Sequence, residues 1–383
     1  MKIIVAGGDG FCGWPTAVYL SKKGHDVAII DNMVRREIDN ELHSNSITPI
    51  ADLEDRVAKW KEVSGKEIKV YEGDLNHYDF LSIVFEQFQP EAFVHYAEQR
   101  SAPYSMISRK HTIYTQENNV LGNLNVLYAI KEYAPDCHLI KLGTMGEYGT
   151  PNIDIEEGWL DVEHKGRKDR VLYPKKPGSF YHLTKVHDTA NIEFACRTWG
   201  IRATDLNQGV VYNVNTEDTA QDETLYNRFD YDGVFGTVLN RFIVQAAKGL
   251  PISVYGKGGQ TRGFINIEDT VRCIELAAEN PAERGELLIY NQITESFSVQ
   301  QLAERVQQVA KEYFDIDAVI ENIENPRVEQ EEHYFNAKHT ALEELGLEPH
   351  LLTDEVIRDI MQLAVDHEDR ILENVVMNSP NWK

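Results

Sequence analysis

The first thirteen residues constrain this chain most. Lys2-Ile3-Ile4-Val5-Ala6 is a short β-branched apolar run that ends in Gly7-Gly8-Asp9-Gly10-Phe11-Cys12-Gly13. Gly7, Gly10 and Gly13 give the spacing GxxGxxG, and a helical pattern follows from Trp14 to Lys23. Strand, glycine turn and helix in that order predict a dinucleotide-binding βαβ opening. The first glycine permits the tight turn, the second lets backbone approach a pyrophosphate, and the third lets helix pack on strand. The helix N-terminus turns unpaired N–H groups towards the phosphates.

Val27 to Ile30 reads as a second strand, with Asp31 at its end, 18 residues after Gly13. A carboxylate there accepts hydrogen bonds from a ribose 2′-OH and repels a 2′-phosphate, which favours NAD over NADP. Arg35 and Arg36 argue the other way, since guanidinium groups at this place hold a 2′-phosphate well. Residues 32 to 66 exceed what a plain crossover needs, and a helix is expected from Ala51 to Val63. Lys69 to Leu75 reads as a third strand, whose Asp74 either reaches an adenine amino group or serves as a turn aspartate. Ala92 to Ala97 reads as a fourth strand, and a helical stretch containing Asn118 continues to Tyr133. Strands alternating with helices predict an α/β fold: a Rossmann-type, doubly wound parallel sheet, with a smaller C-terminal α/β substrate domain.

Two further stretches carry chemistry. Cys137 to Gly143 reads as a strand that places Thr144 at a carboxyl end, where open α/β sheets bind ligands. Downstream, Tyr181 and Lys185 stand four apart in a run free of Gly and Pro until Gly200, so a helix stacks them on one face. An ammonium beside a phenol favours the phenolate, moving a group that titrates near pH ~10 towards neutrality. A tyrosine so tuned takes a proton from a sugar hydroxyl while a cofactor takes the hydride. Thr150 to Gly178 is polar with three prolines, and predicts a loop lying over the active site. Ile201 to Leu206 is another strand, Asn213 to Asp232 is irregular, and Ile252 to Gly259 is strand then turn. Helices are expected at Arg241–Lys248, Asp269–Ala278, Val299–Glu312 and Thr353–Asp366.

The 383 residues suffice for two domains, here 1–206 for the dinucleotide and 207–383 mainly for the substrate, with 236–275 returning to the first. A formal charge of −24 argues against nucleic acid or an anionic membrane as partner. No run of 18 apolar residues is present. Met1 leads directly into a strand without a signal or transit peptide. The expected location is the cytoplasm, bacterial and cyanobacterial, or the plastid stroma for a trimmed plant form. Cys12, Cys137, Cys196 and Cys273 have no metal-ligand spacing, so free thiols and no metal site are expected.

Taken together, GxxGxxG, Asp31, Gly73-Asp74, the Asn118 helix, Thr144, the Tyr181/Lys185 pair and Tyr255-Gly256…Gln260-Thr261-Arg262 resemble the extended short-chain dehydrogenase/reductase family acting on nucleotide sugars. Long strings narrow the likeness to its sulfite-using, sulfolipid head-group branch. They are Glu98-Gln99-Arg100-Ser101-Ala102-Pro103-Tyr104-Ser105-Met106, Lys141 to Asp154 and Asp205 to Tyr212. The resemblance implies that UDP-glucose and sulfite are joined into a 6-sulfonated nucleotide sugar. C4 is oxidised by bound NAD, water leaves from C5–C6, sulfite adds to C6, and C4 is reduced again. It also implies a homodimer and leaves open a partner enzyme that delivers sulfite.

Carried onto this chain, the resemblance makes Tyr181 the base for the 4-OH, with Lys185 lowering its pKa and binding nicotinamide ribose. Thr144 bridges the hydroxyl. Cofactor contacts are implied for Gly7, Gly10, Phe11, Cys12 and Gly13, for Asp31, Asn32 and Arg35, and for Asp74, Leu75, Gln99 and Asn118. Sister 4,6-dehydratases carry Asp-Glu directly after the threonine; here those positions are Met145 and Gly146, with a carboxylate only at Glu147. Glu147 and His182 are therefore both candidates for the dehydration acid and base. On an ideal helix His182 points about 100° away from Tyr181, which weighs against it. Arg100 and Gln208 are expected at the sulfite. Arg262 and Arg327 resemble the family's diphosphate clamps, and Tyr255 and Gln260 are expected near the uridine. A nucleotide-sugar epimerase or dehydratase, and a non-catalytic NAD-sensing regulator, stand as alternatives.

Overall fold

The computed structural model describes residues 1–325 and 333–378. The chain opens with β1 (Lys2–Ala6), α1 (Gly13–Lys22), β2 (Asp26–Asp31), α2 (Val34–Leu42), α3 (Leu53–Ser64), β3 (Ile68–Glu72), α4 (Tyr78–Phe88) and β4 (Ala92–His95). Then come α5 (Ala102–Met106), α6 (Arg109–Gln116), a π-helical turn at Glu117–Leu121, α7 (Gly122–Tyr133) and β5 (His138–Thr144). A hairpin of β6 (Trp159–His164) and β7 (Arg167–Leu172) precedes α8 (Phe180–Trp199) and β8 (Arg202–Gln208). The remainder is β9 (Val210–Tyr212), α9 (Val238–Ala247), β10 (Ile252–Tyr255), β11 (Thr261–Asn266), α10 (Ile267–Glu279) and β12 (Leu287–Gln292). It ends with β13 (Glu295–Ser298), α11 (Val299–Phe314), β14 (Ile320–Ile323), α12 (Ala341–Glu344), α13 (Asp354–Asp366) and α14 (Glu373–Val376).

Seven parallel strands form the main sheet in the order β3-β2-β1-β4-β5-β8-β12. The strands read as unbroken apolar runs because both faces are covered. Ile3 and Val5 of β1 pack with α1 and α10 residues on one face, while Ile4 and Ala6 pack with α4 and α7 residues on the other. The order reverses between β1 and β4, which opens a crevice at their carboxyl ends.

A second lobe has its own core, built where α9, α11 and α13 pack together with β10. The segment that rejoins the main sheet is α10 with β12; α9, within 236–275, packs in the second lobe instead. Residues 150–178 depart from the expected open loop. Six residues of β6 pair antiparallel with six of β7, Trp159 opposite Leu172. Ile155 and Tyr173 are buried against Tyr148, so the segment has a small core of its own. Among the described residues no helix is long and apolar enough to cross a membrane.

Candidate active site

The crevice is a cavity of about 340 Å³ running from the glycine turn to the second lobe. Its floor is cut to backbone. Gly13 packs so tightly on the turn that a Cβ there would lie 1.9 Å from the Gly7 carbonyl oxygen. Gly10, by contrast, faces the opening, and a Cβ on it would meet only that same oxygen, at 3.1 Å. Bare backbone above the N-terminus of α1 is the cradle a pyrophosphate needs.

Asp31 closes the β2 end. Its carboxylate accepts the Asp9 N–H at 2.9 Å and the Met33 N–H at 2.8 Å, and burial pushes its carboxyl up to about 6. Both nearby arginines are committed to carboxylates. Arg36 forks onto Asp9 at 2.8 and 2.9 Å and reaches Asp52 at 3.1 Å. Arg35 holds Asp39 at 2.5 Å and Asp230 at 3.1 Å, with its guanidinium 3.9 Å from the Phe235 ring centroid. Neither Arg35 nor Arg36 is thus left to seek a 2′-phosphate beside Asp31, and the site fits NAD. Asn32 donates to Asp74 at 3.0 Å, and both line the cavity. Asp74 also accepts the Asn76 N–H at 2.8 Å, so it serves as a turn aspartate as well.

Helix α8 delivers the reactive pair. Ser179 caps it by accepting the His182 N–H at 3.1 Å, and the Tyr181 N–H donates to Ser105 at the same distance. These contacts fix the first turn, and the 3.6-residue period sets Tyr181 and Lys185 on the cavity side. The Lys185 ammonium lies 5.7 Å from the Tyr181 ring centroid. The expectation of a lowered phenol pKa is not met. Burial pushes the Tyr181 hydroxyl up and the Glu98 carboxylate adds to the rise, against smaller opposing effects of Lys141 and Arg100. Burial is the main cause; in addition Lys185 is ion-paired with Glu98, whose carboxylate itself opposes the phenolate.

Thr144 ends β5 inside the cavity, where its hydroxyl accepts the Gly146 N–H at 3.2 Å. Glu147 completes that cap: its carboxylate accepts the Thr144 N–H at 3.2 Å and pairs with Lys175. It is fully buried and is not among the cavity's lining residues. His182 is among them, despite its angular offset from Tyr181 on the helix, because its ring leans over Gly146. A Cβ on Gly146 would lie 2.3 Å from His182 Nε2.

Arg100 lines the same cavity, bound to Asp230 at 2.5 Å with its side chain 38% exposed. Gln208 lies opposite, donating to Gln292 at 3.0 Å. Phe11, Cys12, Leu75, Gln99 and Asn118 also contribute to the lining. Tyr255, Gln260 and Arg262 lie outside it. Tyr255 accepts from Arg241 at 2.9 Å, while Gln260 is buried with neither amide atom hydrogen-bonded among the described residues. Arg327 falls outside the described residues. The sequence reading missed Glu98, Arg228 and Asp230, all lining the cavity. Glu98 stands inside a string quoted above, but nothing local marks its partners. Arg228 and Asp230 lie in the segment read as irregular.

One more contact ties these pieces together. The π-helical turn swings Asn119 inward, where its Oδ1 accepts the Gln99 N–H at 2.8 Å. Its Nδ2 donates to the Gln99 carbonyl and to Thr184 Oγ1, each at 3.0 Å. The loop after β4 and the tyrosine helix are thereby held in one register. Among the described residues no cluster of side chains suited to a metal ion occurs.

Residues 3–291 match the model of the NAD dependent epimerase/dehydratase family. A chloroplastic UDP-sulfoquinovose synthase of Spinacia oleracea is 56% identical over 382 residues, covering all of this chain and 79% of that protein. A UDP-sulfoquinovose synthase of Sulfolobus acidocaldarius is 42% identical, covering all of this chain and 98% of its own length. Among solved structures, a UDP-glucose 4-epimerase from Stenotrophomonas maltophila with bound NAD and formylated UDP-arabinopyranose superposes with a TM-score of 0.75. It is 17% identical, covering 97% of this chain and 100% of the other, a likeness of fold alone.

Proposed function

We propose that this chain, which belongs to the NAD dependent epimerase/dehydratase family, joins UDP-glucose and sulfite into UDP-6-sulfoquinovose with release of water. One observation carries the choice of reaction within the family. At Met145-Gly146, where the resembling dehydratases have an acid pair, there is no carboxylate, and the His182 imidazole occupies the space above Gly146.

Bound NAD supplies a reversible hydride acceptor at C4. Asp31 accepts the ribose hydroxyls, and backbone at Gly10 leaves room for the pyrophosphate. Tyr181 Oη is the group assigned to take the proton of the 4-OH and later return it, with Thr144 holding that oxygen. Burial and Glu98 oppose the phenolate this needs, and the positive charge of an oxidised nicotinamide would favour it. The C4 ketone acidifies the C5 proton, which His182 removes and hands to the departing C6 hydroxyl, so that it leaves as water. Sulfite, delivered as bisulfite, then forms its C–S bond at C6 of the enone, and its proton returns to C5. Three guanidinium groups (Arg35, Arg100, Arg228) face two carboxylates (Asp39, Asp230) beside this end of the cavity. Of the three, Arg100 is the most open, with its side chain 38% exposed, and that supports an anionic substrate there in a chain of net charge −24. Arg100 is the group assigned to sulfite, arriving free or from a delivering enzyme.

A homodimer is part of this reading. Ile113, Leu121, Tyr128 and Phe194 are between 40% and 51% exposed, and they lie on α6, α7, α8 and the turn joining the first two. Apolar side chains gathered on neighbouring helices support burial against a second copy.

The test is incubation with UDP-glucose, with and without sulfite, followed by mass spectrometry. A sulfonated nucleotide sugar formed only with sulfite is expected. UDP-galactose, a 4-keto-6-deoxy sugar or unchanged substrate would instead mark an epimerase, a dehydratase or a regulator.

A further inference from the structure

Behind the tyrosine–lysine pair lies a buried ionic cluster. Glu98 follows β4, and its carboxylate takes Lys141 of β5 at 2.6 Å on one oxygen and Lys185 of α8 on the other. Lys141 reaches on to Asp188 at 3.2 Å, and Lys185 donates to the Leu142 carbonyl at 2.6 Å. His95 Nε2 lies 3.5 Å from Glu98, and burial pushes this imidazole down to about 3, so it is neutral. None of these side chains is more than 3% exposed.

Two ammonium groups in a dry site demand counter-charge, and a missing partner leaves an uncompensated ion. The two lysines are not equally provided for. Around Lys141, burial is outweighed by Glu98, Asp188 and Asp205 of β8, and its ammonium is held well above the ordinary range. Around Lys185, burial prevails and lowers the ammonium. Glu98 is the strongest opposing group, Lys141 adds to the lowering, and Asp188 opposes more weakly. The phenol of Tyr181 faces Glu98, Lys141, Glu147 and Arg100.

We propose that Glu98 is a positioning residue: gripped between Lys141 and Lys185, its carboxylate aims the Lys185 side chain along Leu142 and keeps that ammonium protonated behind Tyr181. The proposal rests on the functional reading above only for the use made of Lys185. Remove the carboxylate, and Lys185, the less well-balanced cation, gives up its proton first.

The test reads that proton directly. In protein labelled with 13C-lysine, the Lys185 resonance is assigned by its loss in Lys185→Met and titrated by NMR. Glu98→Gln is expected to lower the Lys185 pKa by about one to three units, as for loss of an adjacent opposite charge. Glu98→Asp, which keeps the charge, should recover most of that shift. Glu98→Gln/Lys141→Met, which also removes the opposing cation, should move it back up. The alkaline limb of turnover against pH should fall with Glu98→Gln by the same interval. A folded Glu98→Gln protein whose Lys185 titrates as in the parent overturns the proposal, and so does a double variant that titrates like Glu98→Gln. Should Glu98→Gln not fold, comparing Lys141→Met with the double variant reads the same effect of Glu98. A shifted Lys185 in an enzyme that forms no sulfonated sugar would refute the functional reading and leave this one standing.

Discussion

Gly146 and His182 share one space: the imidazole Nε2 stands where a side chain on Gly146 would begin, 2.3 Å from its ideal Cβ. The missing side chain at one position is what admits the ring from the other. Gly146→Ala must therefore displace His182 or the turn that carries Thr144. With the base about 1 Å out of place, turnover is expected to fall about a hundredfold, while nucleotide-sugar binding by calorimetry changes little. Unaltered turnover would show that His182 acts from elsewhere or not at all.

Tyr181→Phe removes the proton acceptor without changing the packing of a buried ring. Loss of about 10²- to 10⁴-fold in turnover is expected, the ordinary worth of a positioned acid–base group. The purified variant should still carry dinucleotide, measured by chromatography of the denatured supernatant. Near-parental rates would move the role to another residue.

The dinucleotide preference follows from Asp31 and from the commitment of Arg35 and Arg36 to carboxylates. NAD should bind far more tightly than NADP. Asp31→Asn should cost about tenfold or more in NAD affinity, the value of a hydrogen bond to a charged group, and should narrow the gap to NADP. Burial places the Asp31 carboxyl at about 6, so NAD affinity should weaken as pH falls through that value. A Kd flat from pH 8 to 5 would separate Asp31 from the ribose.

Much of this was legible in the residues themselves. The strands of the main sheet stood out because burial on both faces leaves unbroken apolar runs, and the glycine turn because no other residue fits it. Helix α2 did not stand out, although Val34, Ile38 and Leu42 recur every fourth residue; it is short, its other residues are polar, and only Ile38 is buried. Nor did the β6–β7 hairpin, whose strands are largely exposed and whose apolar residues cluster at its base, Trp159 and Leu160 opposite Leu172 and Val171. The ionisation of Tyr181 was misread for a different reason. A lysine four residues away is visible in sequence, but the burial of the phenol and the Glu98 carboxylate that folds in from the loop after β4 are not.

Stability should depend on two buried histidines. Burial lowers His95 to about 3 and His138 to about 4, from 6.5. An unfolded chain therefore takes up these protons at a pH where the folded one does not. Their contribution is complete above pH 6.5 and is lost as pH falls towards 4. Carboxyls raised by burial, Asp31 (to about 6), Asp188, Asp205, Asp232 and Asp269 among them, work in the opposite sense over part of that window. The share of His138 is read by difference: His138→Gln should lose less unfolding midpoint than the parent between pH 7 and 4, and an equal loss in both would acquit His138.

Association can be checked at the apolar helix face. Tyr128→Asp with Phe194→Asp is expected to convert a dimer into a monomer in light scattering after gel filtration, without altering the far-ultraviolet circular dichroism. A dimer that survives both charges must use another surface.

The β6–β7 hairpin stands clear of the cavity, and its Lys165-Gly166 turn is exposed. That makes it a natural attachment point. A fluorophore or an affinity peptide grafted there would report on, or immobilise, the protein without touching a residue that lines the cavity.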